Sequence, residues 1–450
     1  MGRLVVVSNR VPAGRLDAAG GLAVALKDAL GPGGLWLGWS GEVVEKPGAA
    51  TTRIEGNSVV SVVDLTEVEV ERYYRGFANR TLWPLLHCRI DLADHRDEDF
   101  AGYMAVNRRF AEEIESQLRP DDVVWIHDYH LIPLGAELRR RGLRNRIGFF
   151  LHVPWPPADI WRATPRHREI LASFEAYDLV GFQTAHDVEN FAGCLARAGI
   201  GPTLPARTGA FPIGIATASF AASATAAATH PVAKRLAASL RGRKLMIGVD
   251  RLDYTKGIEH RMESFERFLA ATPSAHGSVV YLQVTPKSRS EVPEYADLQG
   301  RVATIAGRIN GAFSDLDWTP LRYINRTIRR ETLAGLLRMA DVGLVTPLRD
   351  GMNLVAKEFV AAQNGDDPGV LVLSRFAGAA EELDGALLVN PYDTAETAAA
   401  IGRAARMPRS ERVARWRSMF DHLVEHDAAR WRETFLQELE PSRRLLRRVV

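Results

Sequence analysis

Short runs of Val, Ile and Leu recur along the chain, separated by stretches with a helical period. In the first half Leu4–Val7, Val123–His127, Ile147–His152, Leu179–Thr184 and Phe211–Ile215 read as strands. In the second half Lys244–Val249, Val279–Val284, Val342–Thr346, Val370–Leu373 and Ala386–Val389 do so. Most are apolar throughout instead of alternating, the pattern of strands covered on both faces. Between them lie amphipathic segments. Ile258, Met262, Phe265 and Leu269 fall at i, i+4, i+7 and i+11, one stripe of a helix. Alternating strands and helices predict parallel, doubly wound sheets.

Residues 216–240 break the pattern. They are dominated by Ala, Ser and Thr, and read as a surface connection plus a helix between two α/β domains. The stretch from Arg409 to Leu439 is charged and amphipathic, with Trp416, Phe420, Leu423, Trp431 and Phe435. Such helices must pack on something already formed, and periodicity does not decide on what. The expected division is an N-terminal domain over 1–230, a C-terminal domain over 231–430, and a last helix over 431–450 that is open to returning to the N-terminal domain. A chain of 450 residues suits two domains of roughly 100–250 each.

Composition removes several classes. Lys plus Arg is 57 against 55 Asp plus Glu, so a formal charge of +2 argues against a nucleic-acid coat. No run of about 18 apolar residues is present to span a membrane, and the apolar run Leu4–Val7 is too short for a signal-peptide core. The two cysteines, Cys88 and Cys194, lack metal-ligand spacing and read as free thiols in a reducing cytoplasm.

Standard nucleotide signatures are missing. Gly31-Pro32-Gly33 is followed by Trp36 where a dinucleotide fingerprint needs glycine, and no G-K-[ST] occurs. Gly38-Trp39-Ser40-Gly41 fails as a nucleophile elbow at Glu42. Asp315-Leu316-Asp317-Trp318-Thr319 has the D-x-D-x-T shape of an aspartyl phosphatase, but no strand precedes it, so it reads as a loop.

In open parallel sheets ligands sit beyond the carboxyl ends of the strands. Asp250-Arg251-Leu252-Asp253-Tyr254-Thr255-Lys256-Gly257 ends one strand and opens the helix at Ile258. Arg251 offers a bidentate fork and Lys256 a point charge, both suited to a diphosphate. A salt-bridge cluster with Asp250 and Asp253 is the plain alternative. Asp350-Gly351-Met352-Asn353-Leu354-Val355-Ala356-Lys357-Glu358 is also strand, loop and helix. A helix starting near Leu354 offers N–H groups to an anion, and Glu358 can accept from a ribose diol. Gly20-Gly21-Leu22 would let backbone approach a phosphate. His127-Asp128-Tyr129-His130 and His152-Val153-Pro154 end adjacent strands. Metal binding through His127, Asp128, His130 and His152 is a poorer reading than sugar-hydroxyl binding, because His127 and Asp128 point to opposite faces of a strand. Tyr73, Tyr74, Trp83, Trp36 and Trp39 are sugar-stacking or core aromatics.

In this order the pieces resemble the trehalose-6-phosphate synthases, a GT20-like family of retaining glycosyltransferases. The resemblance runs from Leu4 to about Leu439. It is carried by SNR at 8–10, GGL at 20–22, GWSGE at 38–42, LWP at 82–84, WIHDYHL at 125–131, RIGFFLHVP at 146–154, DRLDYTKG at 250–257, AGRING at 306–311 and TPLRDGMNLVAKE at 346–358. It implies a GT-B fold, two Rossmann-like doubly wound domains facing a central cleft. It implies transfer of glucose from UDP-glucose, or another NDP-glucose, to glucose 6-phosphate, giving α,α-trehalose 6-phosphate and the nucleoside diphosphate.

By matching positions, the resemblance gives Arg251 and Lys256 the donor diphosphate, Gly20 and Gly21 a close backbone approach to it, and Glu358 the ribose. Gly351, Met352, Asn353, Leu354 and Val355 form the backbone cradle. Asp350 and His152 grip hydroxyls of the transferred glucose. Arg10 and Arg289 clamp the acceptor phosphate, and Tyr74, Trp83 and Asp128 complete the acceptor pocket. His152, Asp128, Arg251, Lys256 and Asp350 carry the chemistry. The implied mechanism is same-face attack, with a leaving phosphate oxygen taking the acceptor proton. No metal or other cofactor, no nucleic acid and no membrane is implied, and there is room for a homo-oligomer, dimer or tetramer, in the cytoplasm. The pattern departs at Trp155, where Phe is common, at Cys88, where an aromatic is frequent, and at Asp250, where Glu is common. Sister readings are a glucosylglycerol-phosphate synthase or an aminocyclitol-coupling pseudo-glycosyltransferase. From another class comes a non-catalytic sugar-phosphate sensor, which need not keep the donor-side residues.

Overall fold

Fourteen strands form two sheets in the computed structural model, which describes residues 2–11, 26, 30, 33–200, 207–286 and 293–440. The first sheet holds β1 (Leu4–Arg10), β2 (Leu35–Val44), β3 (Thr51–Glu55), β4 (Ser58–Thr66), β5 (Val123–His127), β6 (Arg146–Phe150), β7 (Leu179–Phe182) and β8 (Arg207–Ala210). Its order is β3-β4-β2-β1-β5-β6-β7-β8, parallel except for the β3–β4 hairpin. The second holds β9 (Lys244–Val249), β10 (Val279–Val284), β11 (Leu321–Ile324), β12 (Val342–Val345), β13 (Val370–Ser374) and β14 (Leu387–Val389), in the order β11-β10-β9-β12-β13-β14, all parallel. Winding outward from β9 and then restarting at β12 is the Rossmann arrangement. Every residue of β5, β10, β12 and β13 is buried, in keeping with sequences that are apolar but for His127, Gln283 and Ser374.

The chain divides into Met1–Ile213 with Ala428–Val450, and Gly214–Asp427. The break falls at Ile213, earlier than the 230 read from composition. Helix Thr217–Ala227 buries Phe220, Ala224 and Ala227 and packs on helices Arg330–Met339 and Leu354–Ala362, so the Ala-rich segment is part of the second unit's own core. Small side chains let these helices approach closely, which composition alone reads as a linker. In the first unit, helix Ala428–Leu439 lies on β6 and β7. Gly148 and Gly181 make the space: a Cβ on either would come within 2.8 Å of the Phe435 ring. Phe435 stacks on Trp125 with centroids 4.7 Å apart.

Four strands escape the sequence pattern. β2 carries two glycines among its aromatics, β3 and β4 form an edge hairpin, and β11 is short and includes Arg322. Conversely Phe211–Ile215, read as a strand, is irregular, and the strand in that region is Arg207–Ala210. The D-x-D-x-T segment is a turn closed by an Asp315–Trp318 bridge, with Leu316 fully exposed. Trp155 is fully buried against Trp161, Phe174, Phe182 and Phe191, its Nε1–H 3.2 Å from Cys194 Sγ. Among the described residues, no helix is long and apolar enough to cross a membrane.

Candidate active site

The second unit reverses its winding between β9 and β12, and both strand ends there are polar. Beyond β9, Asp253 caps the short turn Tyr254–Lys256, its Oδ1 accepting from the Thr255 N–H at 3.0 Å and from Thr255 Oγ1 at 2.9 Å. Gly257 then adopts φ +62°, and a Cβ there would stand 2.4 Å from the Thr346 carbonyl oxygen. Only glycine meets both the left-handed turn and that approach. The Leu348 N–H donates to the Thr255 carbonyl at 2.7 Å, tying the loop after β12 to the loop after β9.

Arg261 holds this junction. It sits three residues into the helix after Ile258, is 1% exposed, and reaches four partners. Its Nη1 donates to Asp250 Oδ2 at 2.5 Å and to Gln283 Oε1 at 3.2 Å, its Nε to Thr346 Oγ1 at 2.9 Å, and its Nη2 to the Lys256 carbonyl at 3.1 Å. Burial raises the Asp250 carboxyl above its ordinary range, with Arg261 pulling it back. Asp250, the departure noted in sequence, is thus an internal anchor and not a ligand-facing acid. The signal for Arg261 was a charge standing on the apolar stripe of its helix, one turn before Phe265.

Arg251 stands exposed at the end of β9. Lys256 is paired: its Nζ donates to Asp350 Oδ2 at 2.6 Å, with side-chain exposures of 11% and 14%. Asn353, at φ +77°, caps helix Leu354–Ala362 by accepting the Ala356 N–H on Oδ1 at 3.3 Å, which turns its Nδ2 onto Asp350 Oδ2 at 3.0 Å. The Leu354 and Val355 amides, at the first turn, have no carbonyl four residues back to bind within the helix. Gly351 and Met352 are buried beneath the loop, the Met352 carbonyl accepting from Ala379 N–H at 2.9 Å. Glu358 is buried one turn in, 3.3 Å from Arg330 Nη2; burial raises its carboxyl and Arg330 opposes the rise. Its neighbour Lys357 is a core group bound to Glu382 at 2.6 Å.

The first unit has its own reversal, between β1 and β5. Arg10 ends β1, exposed, with its guanidinium carbon 5.4 Å from the Trp39 ring centroid. Gly41, at φ +94°, leaves room for it, since a Cβ there would lie 2.1 Å from Arg10 Nη2. Trp39 meets Tyr74 edge-on at 5.6 Å, and Tyr74 stacks on His130 at 5.8 Å. Tyr74 rides on Val70–Leu82, a loosely wound helical stretch kinked at Gly76. Trp83, 4% exposed, packs on His87 and Tyr129. Asp128 follows β5 at φ +76°, ψ 163°, a conformation few side chains tolerate. Its N–H donates to the Phe150 carbonyl at 2.8 Å and its Oδ1 lies 3.4 Å from the His152 N–H, so it staples β5 to the end of β6.

His152 belongs to a chain of neutral groups. Gln183 Oε1 accepts the Ile213 N–H at 3.0 Å, which turns its Nε2 toward His152 Nδ1 at 3.4 Å. With Nδ1 accepting, His152 carries its proton on Nε2, 3.1 Å from His127 Nδ1. Burial pushes the His152 ring down to about 3, and His127 well below its ordinary value. Both ring nitrogens of His152 therefore have partners, so a sugar hydroxyl must share them. Gln183, absent from the sequence reading, sits at the end of β7 among many strand-end polar groups and carried no separate signal.

Of the expected site residues, Arg10, Tyr74, Trp83, Asp128 and His152 gather at the carboxyl edge of the first sheet. Arg251, Lys256, Asp350, Gly351, Met352, Asn353, Leu354, Val355 and Glu358 gather at that of the second. Gly20, Gly21 and Arg289 lie outside the described residues. No group of three or more potential metal ligands is assembled among the described residues.

Two Rossmann-like parallel-sheet units, each with polar groups at its reversal point, define the GT-B class of glycosyltransferases. The family model for Glycosyltransferase family 20 matches residues 11–441, and the chain belongs to that family. It is 56% identical over 98% of its length, and 99% of the relative's, to the "Trehalose-6-phosphate synthase" of Sinorhizobium fredii. An α,α-trehalose-phosphate synthase (UDP-forming) from Burkholderia vietnamiensis superposes with a TM-score of 0.95 at 48% identity, covering 98% of each chain. A synthase from Burkholderia xenovorans in complex with glucose-6-phosphate superposes at 0.94, with 45% identity over 97% of this chain and 100% of the other. An E. coli protein bound with UDP-2-fluoro glucose does so at 0.93, with 43% identity over 98% and 99%.

Proposed function

We propose that the chain is an α,α-trehalose-phosphate synthase that transfers glucose from UDP-glucose to glucose 6-phosphate with retention. The observation that carries this reading is the convergence of Arg251, Lys256, Asp350 and the amides opening helix Leu354–Ala362 on one sheet reversal, where an open α/β sheet binds its ligand. The sugar identities rest on the relatives: those named above form UDP, or hold a UDP-glucose analogue or glucose 6-phosphate.

Departure of the diphosphate builds negative charge. Arg251, Lys256 and the Leu354 and Val355 amides supply positive counterparts to it at that sheet edge. Glu358 takes the ribose, and Asp350 and His152 take hydroxyls of the transferred hexose. The loop Gly351-Met352-Asn353 brings backbone against the sugar. Arg10, Tyr74, Trp83 and Asp128 serve the acceptor, Arg10 for its phosphate, while Gly20, Gly21 and Arg289 keep the roles the resemblance implies. The bond from the anomeric carbon to the diphosphate oxygen breaks and one to the acceptor hydroxyl oxygen forms. The hydroxyl proton passes to the leaving phosphate oxygen, so no side chain must act as base. On this reading cationic side chains and amides do the work a metal would otherwise do.

The test is a matrix of UDP-, GDP- and ADP-glucose against glucose 6-phosphate, glycerol phosphate and an aminocyclitol phosphate, with product linkage read by NMR and a chelator control. An α,α-linked disaccharide phosphate from UDP-glucose and glucose 6-phosphate, insensitive to chelator, is expected. Transfer only to another acceptor, or none at all, overturns the reading. Arg251→Ala should raise the donor KM and lower turnover; activity within about threefold of the parent would remove Arg251 from the diphosphate.

A further inference from the structure

Lys256, a cation of the donor site, is already engaged within the protein. Its ammonium donates to Asp350 Oδ2 at 2.6 Å, and the two side chains are only 11% and 14% exposed. Asp350 Oδ2 also receives Asn353 Nδ2 at 3.0 Å, and Asn353 cannot turn away because its Oδ1 caps the Ala356 N–H. Backbone bonds hold Asp350 as well: its N–H donates to the Phe376 carbonyl at 3.1 Å and its carbonyl accepts the Gly378 N–H at 3.2 Å. The Lys256 main chain is held from below by Arg261. Both partners are therefore fixed at the backbone, and the freedom left is in the lysine side chain.

We propose that the Lys256–Asp350 ion pair is an internal competitor for the donor diphosphate, which favours an intact sugar nucleotide over the bare nucleoside diphosphate. The proposal rests on the assignment of the diphosphate to Lys256 and of the hexose to Asp350. An anion that recruits Lys256 takes a charged donor from a largely buried carboxylate, and losing a charged partner is costly in such surroundings. A nucleoside diphosphate alone offers Asp350 nothing in return. The intact donor offers hexose hydroxyls, which donate to Asp350 Oδ2 in the place of Lys256. Full engagement of Lys256 by the diphosphate is thus linked to the presence of the sugar. When the sugar leaves with the acceptor, Asp350 regains Lys256, and the product's hold on the site weakens.

Calorimetric titration of UDP and UDP-glucose into the parent enzyme, Asp350→Asn, Lys256→Met and the double variant tests this. Asp350→Asn should bind UDP roughly five- to tenfold more tightly, the scale of a partly screened ion pair released, and UDP-glucose no more tightly than the parent. In the Lys256→Met background the same change should leave UDP affinity where it was. Unchanged or weaker UDP binding by Asp350→Asn, with Lys256→Met still impairing UDP, overturns the competition alone. Equal tightening of UDP and UDP-glucose, or tightening that persists without Lys256, reduces the effect to general charge and also overturns it. Lys256→Met without effect on UDP overturns it together with the diphosphate assignment.

Discussion

Replacing Arg261 by methionine is the sharpest test of how the donor site is held. The change removes a 1%-exposed guanidinium and leaves Asp250, 6% exposed, without its ion partner. It also strips donors from Thr346 Oγ1, Gln283 Oε1 and the Lys256 carbonyl. Breaking a buried pair from one side costs about 3–5 kcal/mol, a large part of the roughly 5–15 kcal/mol that stabilises a domain. Because the chain has two units, a global melting curve mixes their transitions. Hydrogen exchange of peptides from helix Ile258–Ala271 and from β9 reads the affected unit directly. The Asp250→Asn, Arg261→Met double variant should recover part of the loss, with a coupling of roughly 2 kcal/mol. A pH dependence of definite sign follows. Burial already raises Asp250, and loss of Arg261 raises it further, so the folded variant binds a proton more readily than the unfolded chain. The Arg261→Met defect should therefore shrink as pH falls from 7 toward the ordinary carboxyl range. Unchanged exchange in the single variant, or no recovery in the double, refutes the reasoning.

Two further outcomes follow from the first unit. Phe435→Ala empties the space that Gly148 and Gly181 leave for the ring, and should cost that unit about 3–5 kcal/mol and expose Ala428–Leu439 to protease; a loss below about 1 kcal/mol would mean the helix is held elsewhere. His152, with its ring pushed down to about 3, should show no titration of its ring resonances by NMR in the physiological range. Because its folded pKa lies below the ordinary 6.5, its contribution to stability is complete above 6.5 and is lost as pH falls toward 3; a midpoint near 6.5 in the folded protein would contradict the His127–His152–Gln183 arrangement.

Local chemistry wrote much of this protein in the open. Continuous apolar runs such as Val370–Leu373 read as strands covered on both faces, and they announce parallel sheets. Strand ends followed by Arg251 and Lys256, or by Asp350 through Glu358, mark a ligand edge because a sheet buries everything else. The pairing of those ends was settled only in three dimensions. Strand order is a long-range choice, so nothing local tells that β9 lies beside β12 and brings Lys256 within 2.6 Å of Asp350 from 94 residues away. The same holds for Arg261, whose four partners come from three strand ends and a loop, and for helix Ala428–Leu439, whose apolar face fits many surfaces but whose phenylalanine fits two glycines on adjacent strands. A side chain's neighbours along the chain set its intrinsic preferences. Its charge state and its partners are set by what the tertiary packing removes from water, and that is where this chain's chemistry was decided.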